Sequence, residues 1–161
     1  MHQSKSQFTD KRYPREGYVQ PKGIPPFNDP EFLGDKAWDW AIYICDPRFN
    51  KYRNKWEAGN NLTTHQVRRY YGEFKTIERS LPFEGNEENW NGTYSQIKLI
   101  LAKAVYDSNR STSNLPFKFK EFIENVIRVI PSEYTKGTSA FKKMCLFFEA
   151  VVGYSSEYTK K

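Results

Sequence analysis

Arg68, Lys75 and Arg79 recur within the stretch Leu62–Leu81 at spacings that bring them close to one line along a helix, with Gly72 beside them. Cations in a row need no catalytic partner to act, because each can neutralise a phosphate of a polyanion. A glycine inside a helix costs up to ~1 kcal/mol relative to alanine, so a bare notch among cations suits the close approach of a sugar-phosphate chain. The plainer alternative is the solvated face of an amphipathic helix. A second basic segment lies upstream, where Arg48, Lys51, Arg53 and Lys55 interleave with Phe49, Tyr52 and Trp56. Cations and rings in alternation suit a single strand, with phosphates on the charges and bases on the rings. The same rings serve equally as packing anchors of a loop.

Other chemistries lack their residues. No glycine-rich loop followed by lysine is present to cradle a nucleotide phosphate, and the carboxylates are dispersed along the chain. Glu84, Glu87 and Glu88 cluster in one acidic stretch, which reads as solvated surface facing away from a phosphate backbone. His2 and His65 are the only histidines, too few for a metal cluster. Cys45 and Cys145 stand far apart in apolar helical patterns and read as buried thiols, with no histidine cue for a nucleophile. The expectation is a protein that is not an enzyme, with no catalytic residue, metal or cofactor. No helix pair with its turn marks a DNA-reading motif. Twenty-five Lys and Arg against 19 Asp and Glu leave a net charge of +6, which favours polyanionic partners. No apolar run reaches the ~18 residues of a membrane span, and the N-terminus lacks the apolar core of a signal peptide. A cytoplasmic protein with no membrane contact is expected. The Asn-x-Ser/Thr triplets at Asn61, Asn91 and Asn109 then read as chance.

Helices must position these groups. Thr63 and Gln66 stand at capping-box spacing, with Leu62 and Val67 at the staple positions. Val67, Tyr70, Tyr71, Phe74, Ile77 and Leu81 follow at the steps that share one helical face, and Pro82 ends the run. An earlier helix is expected over Asp35–Cys45, with Asp35 as cap and Trp38, Ala41, Ile42 and Cys45 inward. A third is expected from a Thr93 cap, burying Tyr94, Ile97, Ile100, Leu101 and Ala104, after an acidic loop from Phe83 to Gly92. A fourth starts at Pro116 and buries Phe119, Phe122, Ile123, Val126, Ile127 and Ile130. A fifth opens at Thr138 or Ser139 and buries Phe141, Met144, Cys145, Phe148, Val151 and Val152. Leu146 and Phe147 widen its apolar stripe, so it is central or meets a partner, and Glu149 within it should find a cation or a cap. The architecture is an all-α compact bundle of about five helices. Residues 1–34 read as an irregular or partly disordered arm and 35–161 as a single helical domain. Phe8, Tyr13, Tyr18 and Phe27 of that arm could dock on a neighbour or belong to a flexible tail.

Three pieces in order carry a family resemblance. Leu62-Thr63-Thr64-x-Gln66-Val67-Arg68-Arg69-Tyr70 resembles the opening motif of the small helical subunit of type III-A CRISPR (Csm) effector complexes. Ile97-Lys98-Leu99, then Lys103-Ala104-Val105-Tyr106 and Arg110, is similar to the family's lysine-bearing second conserved helix. Phe147-Phe148-Glu149-Ala150-Val151-Val152-Gly153-Tyr154 is similar to its C-terminal helix, with Gly153 where alanine is typical. The region before Leu62 is longer than usual for the family. The resemblance implies a non-catalytic, RNA-binding subunit of an antiviral defence complex, present in several copies that associate with one another along the filament. It implies stacking along the backbone subunits that hold the guide RNA, beside the large subunit, and lining the groove where target RNA pairs with guide. Cutting and cyclic oligoadenylate synthesis belong to other subunits, and base pairing reads the sequence. Carried over, the RNA contacts fall on Arg68, Arg69, Lys98, Lys103 and Arg110, to which helix geometry adds Lys75 and Arg79. Arg53 and Lys55 are additional candidates from the aromatic and basic segment. The competing expectation is a helical protein-interaction module without direct RNA binding, working through the broad fifth helix.

Overall fold

The computed structural model describes residues 14–112 and 114–161. His2, Phe8 and Tyr13 lie outside the described residues. The order of elements is α1 (Asp35–Cys45), β1 (Arg48–Asn50), β2 (Lys55–Glu57), α2 (Thr64–Ser80), α3 (Glu87–Asn109), α4 (Phe117–Arg128) and α5 (Tyr134–Ser155). Among the described residues five helices and one small hairpin make an all-α bundle.

Helix α2 begins as its sequence dictates. The Gln66 amide donates to Thr63 Oγ1 at 3.1 Å, and the Thr63 amide donates to Gln66 Oε1 at 3.0 Å, so two orphan donors of the first turn are satisfied reciprocally. Val67, Tyr70, Phe74 and Ile77 are buried, and Tyr71 and Leu81 pack partly against the same core. Helix α1 also has the expected span, but Asp35 is not its cap. Gly34 holds that position, and Glu31 Oε2 accepts from the Asp35 amide at 3.1 Å.

Two helices start earlier than expected. Asn86 caps α3 through its side chain, which accepts from the Asn89 amide at 2.9 Å. Glu87 and Glu88 therefore sit in a first helical turn, where the helix dipole favours anions, rather than in a loop. Thr93 is inside that helix and donates to the Asn89 carbonyl at 3.2 Å. Helix α5 begins at Tyr134, and Thr138 likewise donates back to the Tyr134 carbonyl at 2.7 Å. The missing first turn of α5 is held by Gly137 against Trp90: a Cβ at Gly137 would lie 2.4 Å from Trp90 Cζ2 and 2.4 Å from the Pro131 carbonyl oxygen.

Helix α5 is central, packing on α1, α2 and α3, while α4 packs on α1 and α3. Its inner aromatics organise the core. Phe148 lies 5.1 Å from Phe122 and 5.3 Å from Phe74 between ring centroids, distances at which edge and tilted ring contacts are favourable. Phe147 is fully buried, so its share of the broad apolar stripe is spent on internal packing. Leu146 is exposed. Glu149 is exposed as well, and meets neither a cation nor a cap among the described residues.

Between Arg48 and Asn61, where an irregular polar segment was expected, β1 and β2 pair antiparallel with Phe49 opposite Trp56. Residues 14–34 form turns and bends without a helix or strand, as an irregular arm should, and their described part is tied down. Trp40 Nε1 donates to the Gly23 carbonyl at 3.1 Å, Arg15 pairs with Asp39, and Phe32 stacks on Phe147 at 4.8 Å. At the other end, residues 158–160 run beside the start of α2. The Ala58 amide donates to the Tyr158 carbonyl at 2.8 Å, and the Thr64 amide to the Lys160 carbonyl at 2.9 Å. The Lys160 amide returns a bond to the Leu62 carbonyl at 3.1 Å. No helix among the described residues is long and apolar enough to cross a membrane.

Candidate nucleic-acid interface

Helices α2 and α3 pack side by side, and their outer sides leave a groove of about 470 Å³. Arg69, Gly72, Glu73 and Thr76 line it from α2, and Gln96, Leu99 and Lys103 from α3. Two ion pairs join the helices there. Lys103 Nζ lies 2.5 Å from Glu73 Oε1, and Arg69 Nη2 lies 2.6 Å from Asp107 Oδ2. The same Asp107 oxygen accepts from the buried Tyr70 hydroxyl at 2.6 Å. Burial, and then that hydrogen bond, pushes the Tyr70 phenol well above its ordinary value, so it remains a donor throughout the physiological range.

The row of cations divides once the helices are packed. Gly72 belongs to the groove with Arg69 and Lys103, and an added Cβ there would meet nothing within 4 Å. Its carbonyl accepts from Thr76 Oγ1 at 2.9 Å, so what is laid open is the Cα rather than an acceptor. Arg68 instead lines a small crevice against α5, with Val152 and Ser156. Lys75 is largely covered and lies 2.5 Å from Glu78, whose hydrogen bond pushes the ammonium above the ordinary lysine value. Its charge is matched inside the protein. Arg68 and Arg79 are exposed and make no ion pair among the described residues.

On α3, Lys98 stands over the Tyr94 ring at 5.3 Å and lies about 140° round the helix from Lys103, on the flank away from the groove. Arg110 stands over the exposed Tyr106 ring at 5.3 Å. Arg53 and Lys55 are on the hairpin, at 3.2 Å and 3.7 Å from a shared Glu57 carboxylate. A hydrogen bond from Asn50 and then these two cations hold Glu57 below the usual carboxylate range. The groove thus unites Arg69 and Lys103, borders Gly72, and leaves Lys75, Lys98, Arg53 and Lys55 elsewhere.

Sequence reasoning missed the acidic partners Glu73 and Asp107. For Asp107 a signal existed, since Ile100, Ala104 and Asp107 share one apolar spacing, and a carboxylate on a buried face needs a cation or donor beside it. Glu73 offered none, because its pairing with Lys103 depends on how two helices meet. No group of three or more His, Cys, Asp or Glu among the described residues could hold a metal ion.

Chemically, the groove sets the cations Arg69 and Lys103 and the Gln96 amide around an apolar floor of Ile77, Leu99 and Ile100, with one glycine gap. Its cations are pre-oriented by carboxylates, and polyanion oxygens could take over those pairings. A family model described as Csm2 Type III-A matches residues 50–161, which takes in β2 and α2 to α5 and leaves α1 outside. No curated protein and no solved structure matches the chain.

Proposed function

Because the chain belongs to the Csm2 family of type III-A CRISPR complexes and is a small subunit of such a complex, we propose that its α2–α3 side holds the backbone of target RNA paired with the guide. In this reading the subunit is non-catalytic, stacks with other copies along the subunits that carry the guide RNA, and contributes charge and shape while base pairing reads sequence.

The observation that carries the reading is the groove itself. Arg69 and Lys103 converge on it from two helices, beside Gly72, where the α2 surface carries no side chain. Exposed Arg68 and Arg79, without ion pairs among the described residues, add charge that a phosphate can claim at no internal cost. Lys75, already matched by Glu78, contributes less.

The test is target-RNA affinity of the assembled complex across a salt series, with and without Arg68→Ala and Arg79→Ala together. Loss of two phosphate contacts should flatten the slope of log K against log salt by roughly 1.4–1.8. An unchanged slope would overturn the assignment of these residues.

A second reading, a protein-interaction module without direct RNA binding, draws on the exposed Leu99 and Tyr106 of α3. It no longer draws on the width of α5, most of which is internal. A salt-insensitive affinity would favour it.

A further inference from the structure

Away from the α2–α3 groove, a second cavity of about 560 Å³ opens between the end of α1, the hairpin, the start of α4 and residues 14–20. Tyr18, Tyr43, Phe49 and Trp56 line it together with Arg48 and Lys118. Its size is that of small-ligand sites, roughly 300–1,000 Å³.

The rings are fixed by the fold. Phe49 and Trp56 are cross-strand partners, with centroids 5.5 Å apart and planes at 65°, so each holds the other upright. The Tyr43 hydroxyl donates to Glu121 Oε2 at 2.6 Å, which anchors that ring at its far edge. Tyr43 and Trp56 are both only partly buried.

The charges are arranged just as specifically. Among the described residues Asp46 is the one carboxylate in the lining, and both cations share it, Arg48 at 3.1 Å and Lys118 at 3.3 Å. One positive charge is left over, and 77% of the Arg48 side chain stays exposed. Lys118 Nζ also stands over the Tyr43 ring at 4.9 Å, placing a cation where a ring face and a phosphate would be read together. A cationic ligand meets this surplus as repulsion. An anion with a planar aromatic ring meets complementary partners for both its parts.

We infer that this cavity binds a nucleotide, with its base against the Trp56 ring and its phosphate on Arg48 and on Lys118, whose ammonium covers the Tyr43 ring. The nucleotide is either a free mononucleotide or an unpaired residue of a single strand; both present the same base and phosphate. The site shares no lining residue with the groove proposed for target RNA, so the two stand independently.

The test is titration of the full chain with AMP and, separately, with a uridine-rich single-stranded RNA, followed by quenching of tryptophan fluorescence. Quenching should saturate, disappear in Trp56→Leu, and require roughly fivefold or more ligand in Arg48→Ala. A response to AMP identifies a free nucleotide, and a response to the strand alone identifies an unpaired residue. Arg48 is exposed, so its variant remains decisive if Trp56→Leu disturbs the hairpin. Quenching by neither ligand up to about 10 mM AMP, or quenching that Arg48→Ala leaves unchanged, overturns the site. Arg68→Ala with Arg79→Ala should leave this signal intact, which separates its failure from that of the α2–α3 reading.

Discussion

The Asp107 carboxylate of α3 holds the Arg69 guanidinium of α2 at 2.6 Å, and it does so from a buried position while Arg69 reaches solvent. One oxygen serves both Arg69 and the Tyr70 hydroxyl, so orientation of a groove cation and satisfaction of a core phenol are the same event. Asp107→Ala should lower stability by about 3 kcal/mol, because it strands a buried donor and an oriented cation. Asp107→Asn keeps an acceptor and should lose less. Urea denaturation decides this, and a loss under about 0.5 kcal/mol for the alanine variant would contradict it.

Glu73 competes with any phosphate for Lys103. Glu73→Gln removes an anion from the groove and frees that ammonium. Stability should stay within about 0.5 kcal/mol, since the pair is partly exposed, while target-RNA affinity of the assembled complex should rise about threefold. Weaker binding would show that Glu73 positions Lys103 rather than restraining it.

Two glycines inside helices should respond in opposite directions to alanine. Gly72→Ala meets open space and should stabilise α2 by about 0.5–1 kcal/mol, yet cost target affinity if the RNA backbone passes over it. Gly137→Ala would press on Trp90 and the Pro131 carbonyl and should destabilise by about 1–3 kcal/mol. Thermal melts of both, with RNA titration of the first, read these effects. A Gly72→Ala complex with unchanged affinity would separate the notch from RNA binding.

The two thiols should be silent in the folded protein. Burial pushes Cys45 from its ordinary 9.0 up to about 12, and burial likewise raises Cys145. At neutral pH the thiolate fraction of Cys45 is thereby about 1,000-fold lower than in the unfolded chain. The folded pKa is raised, so its stabilising contribution is complete below pH 9 and is lost as pH rises toward 12. Thiol labelling at pH 8 should be slow until denaturant is added and then report two cysteines. Rapid native labelling would mean that α1 or α5 opens readily.

What the sequence made legible was local. The capping box of α2 and the inward faces of α2 and α4 depend on residues within one or two turns of each other, and they are found as spaced. The beginnings of α3 and α5 were misplaced because Thr93 and Thr138 are good capping residues by type. The true starts are stabilised by Trp90 and Gly137 meeting across the bundle, a contact between positions far apart in sequence. The hairpin escaped notice because three-residue strands carry too little alternation to register. For the candidate site, the cations were visible by type and spacing. Their partners were not, since Glu73 and Asp107 acquire meaning only when α2 and α3 lie together.

The bonds between residues 158–160 and the start of α2 also set a timetable. Thr64 meets Thr159 at 2.8 Å across 95 positions of sequence, and Lys160 pairs with the backbone on either side of Thr63. As the polypeptide leaves the ribosome, α2 emerges long before the segment that fastens its first turn, and before α5, against which its apolar face rests. The nascent chain therefore carries an amphipathic helix whose Phe74 lacks its partners Phe141 and Phe148 until α5 has been made. Closure of the core around α2 is a late event that waits on α5 and on residues 158–160.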